Sequence, residues 1–269
     1  YKDRIEEGVA GWWTDLAEPE SHPAEMQHQD GSAEEVHNIY NLEWQRMLYK
    51  KHKEEYPKKR LFNLSRSGWA GMQRYSTFPW SGDIQRSFNG LQAQIPIMLG
   101  MSMSGVGYMH SDIGGFTGGG QNPELYTRWM QLGAFTPVMR AHGTGVPTEP
   151  IYYNEATQDR VRKMINLRYD FLPYNYNLAR EYTTKGVPLA RPVNFYEPGN
   201  QQLANINDEF LWGKDVLVAP VLDENKNTRE VIFPSGKWYD YRNNDYYQGN
   251  QSYTVNAPIG DLPLFIRSG

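Results

Sequence analysis

Five short clusters along the chain each join an ionisable side chain to a glycine or an aromatic. They are Trp12-Trp13-Thr14-Asp15-Leu16-Ala17-Glu18-Pro19, Ser65-Arg66-Ser67-Gly68, Trp80-Ser81-Gly82-Asp83, His110-Ser111-Asp112-Ile113-Gly114-Gly115-Phe116 and Met139-Arg140-Ala141-His142-Gly143. Brought to one place they would line a pocket with Asp15, Arg66, Asp83, Asp112 and His142, walled by Trp13, Trp80 and Phe116. Flat aromatic faces beside polar groups suit a sugar ring. Cleaving a glycosidic bond with retention needs one carboxylate facing the anomeric carbon and one carboxylic acid at the leaving oxygen, and Asp15 and Asp83 can supply that pair. The acid must be kept protonated by burial or by nearby negative charge. The other carboxyl must stay ionised, a state that hydrogen bonds and a cation such as Arg66 favour.

Clusters of this kind can meet only if strands deliver them. The apolar run from Gly8 to Leu16 reads as a buried strand with polar residues at its C-terminal end, and Arg60 to Ser65 repeats the pattern. Between them a helix is expected from Ala33 to Tyr56. Ser32 and Glu35 form a capping-box pattern at its start, and Pro57 closes it. A third strand end is expected near Phe78 to Asp83, followed by helical sequence from Ile84 to Leu99. Val106 to Asp112 and Thr136 to Arg140 read as further strands, and Thr157 to Lys185 as a helix bent at Pro173. Serial βα units that leave polar residues at each strand end describe part of a (β/α)8 barrel, about strands 4 to 8, over residues 1–186. After residue 187 helical patterning stops. Short runs such as Asp215 to Val221, Glu230 to Phe233 and Leu262 to Ile266 lie between Gly-, Asn- and Pro-rich segments, as in an antiparallel β-sandwich module, incomplete here, over 187–269.

Composition narrows the function classes. The chain has 269 residues, with 27 basic and 31 acidic side chains and a net charge of −4, which gives no basic footprint for nucleic acid. No apolar run approaches the roughly 20 residues of a membrane span. The absence of cysteine removes disulfides, thiolate metal ligands and thiol nucleophiles without fixing a compartment. Aromatics reach 14% of the chain, which suits sugar stacking or a large core. The start at Tyr1 without an initiator Met, and the end inside a strand-like run, read as a piece of something longer.

Taken together the motifs resemble glycoside hydrolase family 31. The resemblance rests on Trp-Thr-Asp-Leu-Ala-Glu-Pro, on Ser-Arg-Ser followed by Ala70-Gly71-Met72-Gln73-Arg74-Tyr75 and Trp80-Ser81-Gly82-Asp83, and on Ser111-Asp112-Ile113-Gly114-Gly115-Phe116 and Arg140-Ala141-His142, in the family's order over nearly the whole chain. It implies a retaining α-glycosidase acting on α-linked oligosaccharides without cofactor or metal. Asp15 would be the nucleophile on barrel strand 4 and Asp83 the general acid/base on strand 6. Arg66, Asp112 and His142 would bind hydroxyls in the subsite before the scissile bond, between the aromatic walls Trp13, Trp80 and Phe116. It also implies a partner in the same protein, an N-terminal part upstream of Tyr1 with barrel strands 1 to 3 and a β-sandwich. Asp15-Leu16-Ala17-Glu18 replaces the Asp-Met-Asn-Glu of many α-glucosidases and looks closer to bacterial α-glucosidases and 4-α-glucosyltransferases. Thr148-Glu149-Pro150-Ile151-Tyr152 also departs from the commoner pattern.

Plainer roles compete with these. Asp83 could cap the following helix, and Glu18 is expected to orient its loop rather than to catalyse. His110, Asp112 and His142 could suggest a metal site, but the chemistry needs none. His22, His28, His37 and His52 read as ordinary polar residues, Met98, Met101 and Met103 as core filler, and the glycines from Gly114 to Gly120 as a flexible loop. A sugar-binding homologue or fragment without catalysis, or a transferase passing the glycosyl group to another sugar, would use the same residues.

Overall fold

Ser32 starts the longest helix with a reciprocal cap. Its hydroxyl accepts from the Glu35 backbone N–H, while the Glu35 carboxylate accepts from the Ser32 N–H at 2.9 Å. This satisfies two of the donors that a helix start leaves open. The protein is described by a computed structural model over all residues, Tyr1 to Gly269, and the chain packs as two compact units, Tyr1–Ser81 and Gly82–Gly269.

The first unit runs α1 (Lys2–Glu6), β1 (Trp12–Thr14), the hairpin β2 (Gln27–His28) and β3 (Gly31–Ser32), α2 (Ala33–Glu55), β4 (Asn63–Ser65), a 3-10 turn and β5 (Thr77–Pro79). β1, β4 and β5 form a parallel sheet with β4 in the middle, pairing Thr14 with Ser65 and Ser65 with Pro79. The register has a direct consequence. The residues that follow these partners, Asp15, Arg66 and Trp80, leave the sheet level with one another at its C-terminal edge. β4 is buried throughout, as a central parallel strand should be.

The second unit opens with α3 (Phe88–Gln92), α4 (Gln94–Met103), α5 (Pro123–Gly133), α6 (Glu155–Asp170) and α7 (Leu172–Lys185). It continues with β6 (Ala190–Arg191), β7 (Phe210–Trp212), β8 (Val216–Val218), β9 (Thr228–Phe233), β10 (Lys237–Asp240), β11 (Tyr246–Gln248), β12 (Gln251–Asn256) and β13 (Leu264–Arg267). Six strands make an antiparallel sheet in the order β11-β10-β13-β8-β7-β6, and β9 pairs with β12. Alternation along the strands separates two faces. Phe210, Trp212, Val216, Val218 and Leu264 join the core of Leu91, Ile95, Trp129 and Val161 from the helices. Leu211, Leu217 and Phe265 face the other way and pack with Val231, Phe233, Trp238 and Val255. No helix is long and apolar enough to cross a membrane.

Several expected elements differ. Val106 to Asp112 and Thr136 to Arg140 form no ladder, and the bridging there is isolated, as at His110 and in the parallel bridge of Ile113 to Ala141. The first run is largely buried, which is what its apolar sequence reports. Its backbone bonds go elsewhere, however, with the Gly107 N–H on the Tyr182 hydroxyl and the Val106 N–H on Met101. The helix expected from Ile84 starts at Phe88, because the Ile84 carbonyl is taken by the N–H groups of Phe116 and Thr117. The long helix divides at Phe171, just before Pro173. Met98 is core, but Met103 is exposed.

Replacing Ser32 by Ala should lower unfolding stability by about 1 kcal/mol, read as a shifted denaturant midpoint at unchanged slope. An unmoved midpoint would show that the cap contributes nothing.

Candidate functional site

In the first unit, Arg66 leaves β4 between three carboxylates. Its Nε donates to Glu18 Oε1 at 2.8 Å, and its Nη2 reaches Glu18 Oε2 and Glu20 Oε2, each at 3.0 Å. Asp15 Oδ1 lies 3.4 Å from Arg66 Nε and accepts the Leu16 N–H at 3.0 Å. Asp15 is thus held from two sides, by a guanidinium and by a backbone N–H. The two hydrogen bonds from Arg66 hold Glu18 below the usual carboxylate range against the opposing effect of its partial burial, and the same partners raise Arg66 further above its ordinary value. The expected cation is therefore present, but its tightest partner is Glu18.

Arg66 is supported from behind by α2. Asn41 and Gln45, both buried, donate to Ser65 Oγ at 3.2 and 3.3 Å, and Gln45 Nε2 also reaches the Ser67 carbonyl at 3.0 Å. These polar residues on the inner face of α2 escaped the sequence reading. Trp13 stands half-exposed with its ring 6.0 Å from that of buried Trp80, the two planes at 67°. The two rings meet edge to face, a favourable arrangement for aromatic quadrupoles.

In the second unit, Asp83 follows Gly82, whose φ of +81° is cheap only for glycine. Asp83 is exposed. It does not cap the next helix. Ser87 does so, accepting the Gly90 N–H at 3.0 Å. Asp112 is wholly buried against Arg140, whose Nε lies 3.4 Å from His110 Nε2. A guanidinium thus occupies the space where a metal held by His110 and Asp112 would carry its charge. Phe116 and His142 lie 5.7 Å apart between ring centroids, with planes 30° apart.

Arg86, absent from the sequence reading, ties this unit's segments together. Its guanidinium donates to the carbonyls of Phe116 and Thr144 at 3.0 Å and of Gly118 at 2.6 Å, while its own N–H bonds Thr117. A Cβ on Gly115 would come within 2.4 Å of Arg86 Cα. The glycine run is therefore a close-fitting strap, not the unanchored loop expected. Asp15, Glu18, Arg66, Trp13 and Trp80 are brought together in the first unit. In the second, the strap joins the segments of Asp83, Phe116 and His142, and Asp112 is paired with Arg140.

The model of the glycosyl hydrolases family 31 TIM-barrel domain matches residues 1–178, and that of the family 31 C-terminal domain matches residues 186–269. The chain is 36% identical over 274 residues to alpha-glucosidase 2 of Bacillus thermoamyloliquefaciens, covering 97% of this chain and 35% of the relative. It is 33% identical to an alpha-xylosidase of Saccharolobus solfataricus, covering 97% of this chain and 38% of that protein. Among solved structures, a Flavobacterium johnsoniae dextranase complexed with glucose matches with a TM-score of 0.96 at 35% identity, over 100% of this chain and 35% of its own. The chain thus spans about a third of the length of these relatives.

The Glu18–Arg66 pair sets a pH dependence. Glu18 has a lowered value, so its stabilising contribution is present above its unfolded pKa of about 4.3 and is lost as pH falls through the lowered folded value. Carboxyl ¹³C shifts should show Glu18 titrating below the ordinary range, and Arg66→Met should move it back up. An unchanged midpoint would show that the pair does not perturb Glu18.

Proposed function

The chain belongs to glycosyl hydrolase family 31, and from that premise we propose that it carries the catalytic carboxyls of a retaining α-glycosidase acting on α-glucosidic bonds in oligosaccharides. The observation that carries this reading is the geometry at Asp15, where a strand end, a backbone N–H and Arg66 converge on one carboxylate. In the first step Asp15 attacks the anomeric carbon as Asp83 protonates the departing oxygen, and the bond between them breaks as a β-linked glycosyl ester forms. In the second, Asp83 takes a proton from water, which displaces Asp15. This route requires the two carboxyls about 5 to 5.5 Å apart across the sugar.

Trp13, Trp80 and Phe116 serve as aromatic walls of the sugar subsite, and Arg66 and His142 bind its hydroxyls. Asp112 acts together with Arg140, because the carboxylate is buried and the guanidinium is the more accessible of the two. The strap pinned by Arg86 gives Asp83, Phe116 and His142 fixed starting positions, and Glu18 keeps Arg66 oriented. Residues 1–186 are assigned to the catalytic barrel and 187–269 to the sandwich module. The names of the relatives support a glucose-type substrate with a xylose-type one as runner-up. A sugar hydroxyl in place of water would give transglucosylation on the same aspartates.

Asp15→Asn should abolish turnover of both aryl α-glucosides and oligosaccharides, and near-normal activity would remove Asp15 from the nucleophile role. Asp83→Ala should slow oligosaccharide cleavage by roughly 10²- to 10⁴-fold while sparing glycosyl-ester formation from aryl α-glucosides, whose leaving groups need no proton. Equal losses on both substrates would show that Asp83 is not the acid.

A further inference from the structure

Three histidines scattered in sequence form a single row in the first unit. His22 Nδ1 lies 2.9 Å from His37 Nδ1, and His22 Nε2 lies 2.7 Å from His28 Nε2. His22 and His28 belong to the segment that follows Glu18 and Glu20, while His37 sits in the first turns of α2. Tyr40, one turn further along α2, packs its ring 5.8 Å from His22 and 5.9 Å from His28. The row therefore fastens to α2 the segment that presents Glu18 and Glu20 to Arg66. It is not a chelate. His22 turns a different nitrogen to each partner, so one ion cannot reach all three rings, and no group of three ligands here could hold a metal.

Proton counting limits what the row can carry. Three neutral imidazoles hold three protons on six nitrogens. Each of the two contacts needs one proton to be an N–H···N bond, which leaves one proton for the two outer nitrogens, His37 Nε2 and His28 Nδ1. A fourth proton fills the second outer nitrogen and gives a single positive charge. A fifth must enter a contact and set N–H against H–N, so a doubly charged row has to open at one contact.

The surrounding charges tolerate the first of these charges. Glu18 lies near enough for the charge of His37 to help lower it. Glu35 is already engaged by Ser32, while Asp30 and Glu43 border the groove beside His28. Desolvation, followed by the two neighbouring imidazoles, lowers His22 from its ordinary value. By linkage, the closed row is favoured above the ordinary histidine pKa of about 6.5 and is weakened as pH falls below it.

We propose that His22, His28 and His37 are positioning residues forming a proton-limited latch, which holds the Glu18–Glu20 segment on Arg66 when it carries at most one charge and releases it on the second proton. The consequence for the sugar subsite rests on the functional reading above, in which Arg66 binds substrate. Releasing Glu18 and Glu20 frees Arg66 to swing from its fixed orientation, so the latch acts on substrate affinity and on the support that Arg66 gives Asp15.

The test has two arms. In the first, ¹⁵N-labelled histidine is followed in the whole protein by NMR. Couplings across both N···N contacts at about pH 7.5 are expected, with at least one lost at acid pH together with protection of the Ala33 amide that bonds the Met26 carbonyl. Three rings titrating independently near 6.5, or stoichiometric zinc bound by the three, would overturn the latch whether or not the protein is a glycosidase. In the second arm, KM for an aryl α-glucoside should rise as pH falls below about 6, approaching tenfold per pH unit. His22→Ala, which removes both contacts, should hold KM at the raised acid value across the range and so lose that slope. A slope retained in His22→Ala, or a flat wild-type KM, would overturn the coupling to Arg66. Absence of any turnover would strike the functional reading alone, and the first arm would still decide the latch.

Discussion

The in-register parallel pairing of β1, β4 and β5 is the constraint on which the residue cluster of the first unit depends. Because Thr14, Ser65 and Pro79 are partners across the sheet, the three chains leave it at one level, and Asp15, Arg66 and Trp80 are delivered together. A slip of one residue in β4 would turn its side chains to the opposite face and carry Arg66 away from Asp15. The buried amides of Asn41 and Gln45 oppose such a slip by holding Ser65 and Ser67 to α2, since breaking those bonds would leave polar groups unsatisfied in the interior.

Guanidinium groups then do the positioning that the short strands cannot. Arg66 spans Glu18, Glu20 and Asp15, Arg140 links Asp112 with His110, and Arg86 collects backbone carbonyls from two loops. A planar fork with five fixed donors can orient several acceptors at once, which a lysine ammonium cannot reproduce. Pairing also offsets the cost of burying Asp112, whose charge would be expensive alone and is met here by the Arg140 guanidinium.

Local signals were legible in the sequence, and distant ones were not. Ser32 and Glu35 announced the start of α2 because a capping box lies within four residues, and Trp12–Thr14 and Asn63–Ser65 fell inside the apolar runs read as strands. The Asp15–Arg66 association was also anticipated from charge. Burial was readable at Val106 to Asp112, but an apolar run reports burial rather than ladder pairing, so the strand expected there is absent. Arg86 could not be found because its acceptors are backbone carbonyls, which every sequence has. The histidine row was missed for a similar reason: its members are 15 and 6 positions from His22, and only the hairpin of β2 and β3, itself unread, brings them to α2. Asn41 and Gln45 look like surface polar residues until Ser65 is seen against them.

The claim that most of this account serves is that Asp15 forms a covalent bond to sugar. A fluorinated α-glucosyl fluoride, which enters the first step and stalls before the second, tests it directly when the protein is digested and its peptides are weighed. The account predicts one added glycosyl group per chain, on the peptide that contains Asp15 and lost on incubation with a sugar acceptor. A label on any other residue, or turnover of the parent glycoside with no labelled intermediate, would contradict it.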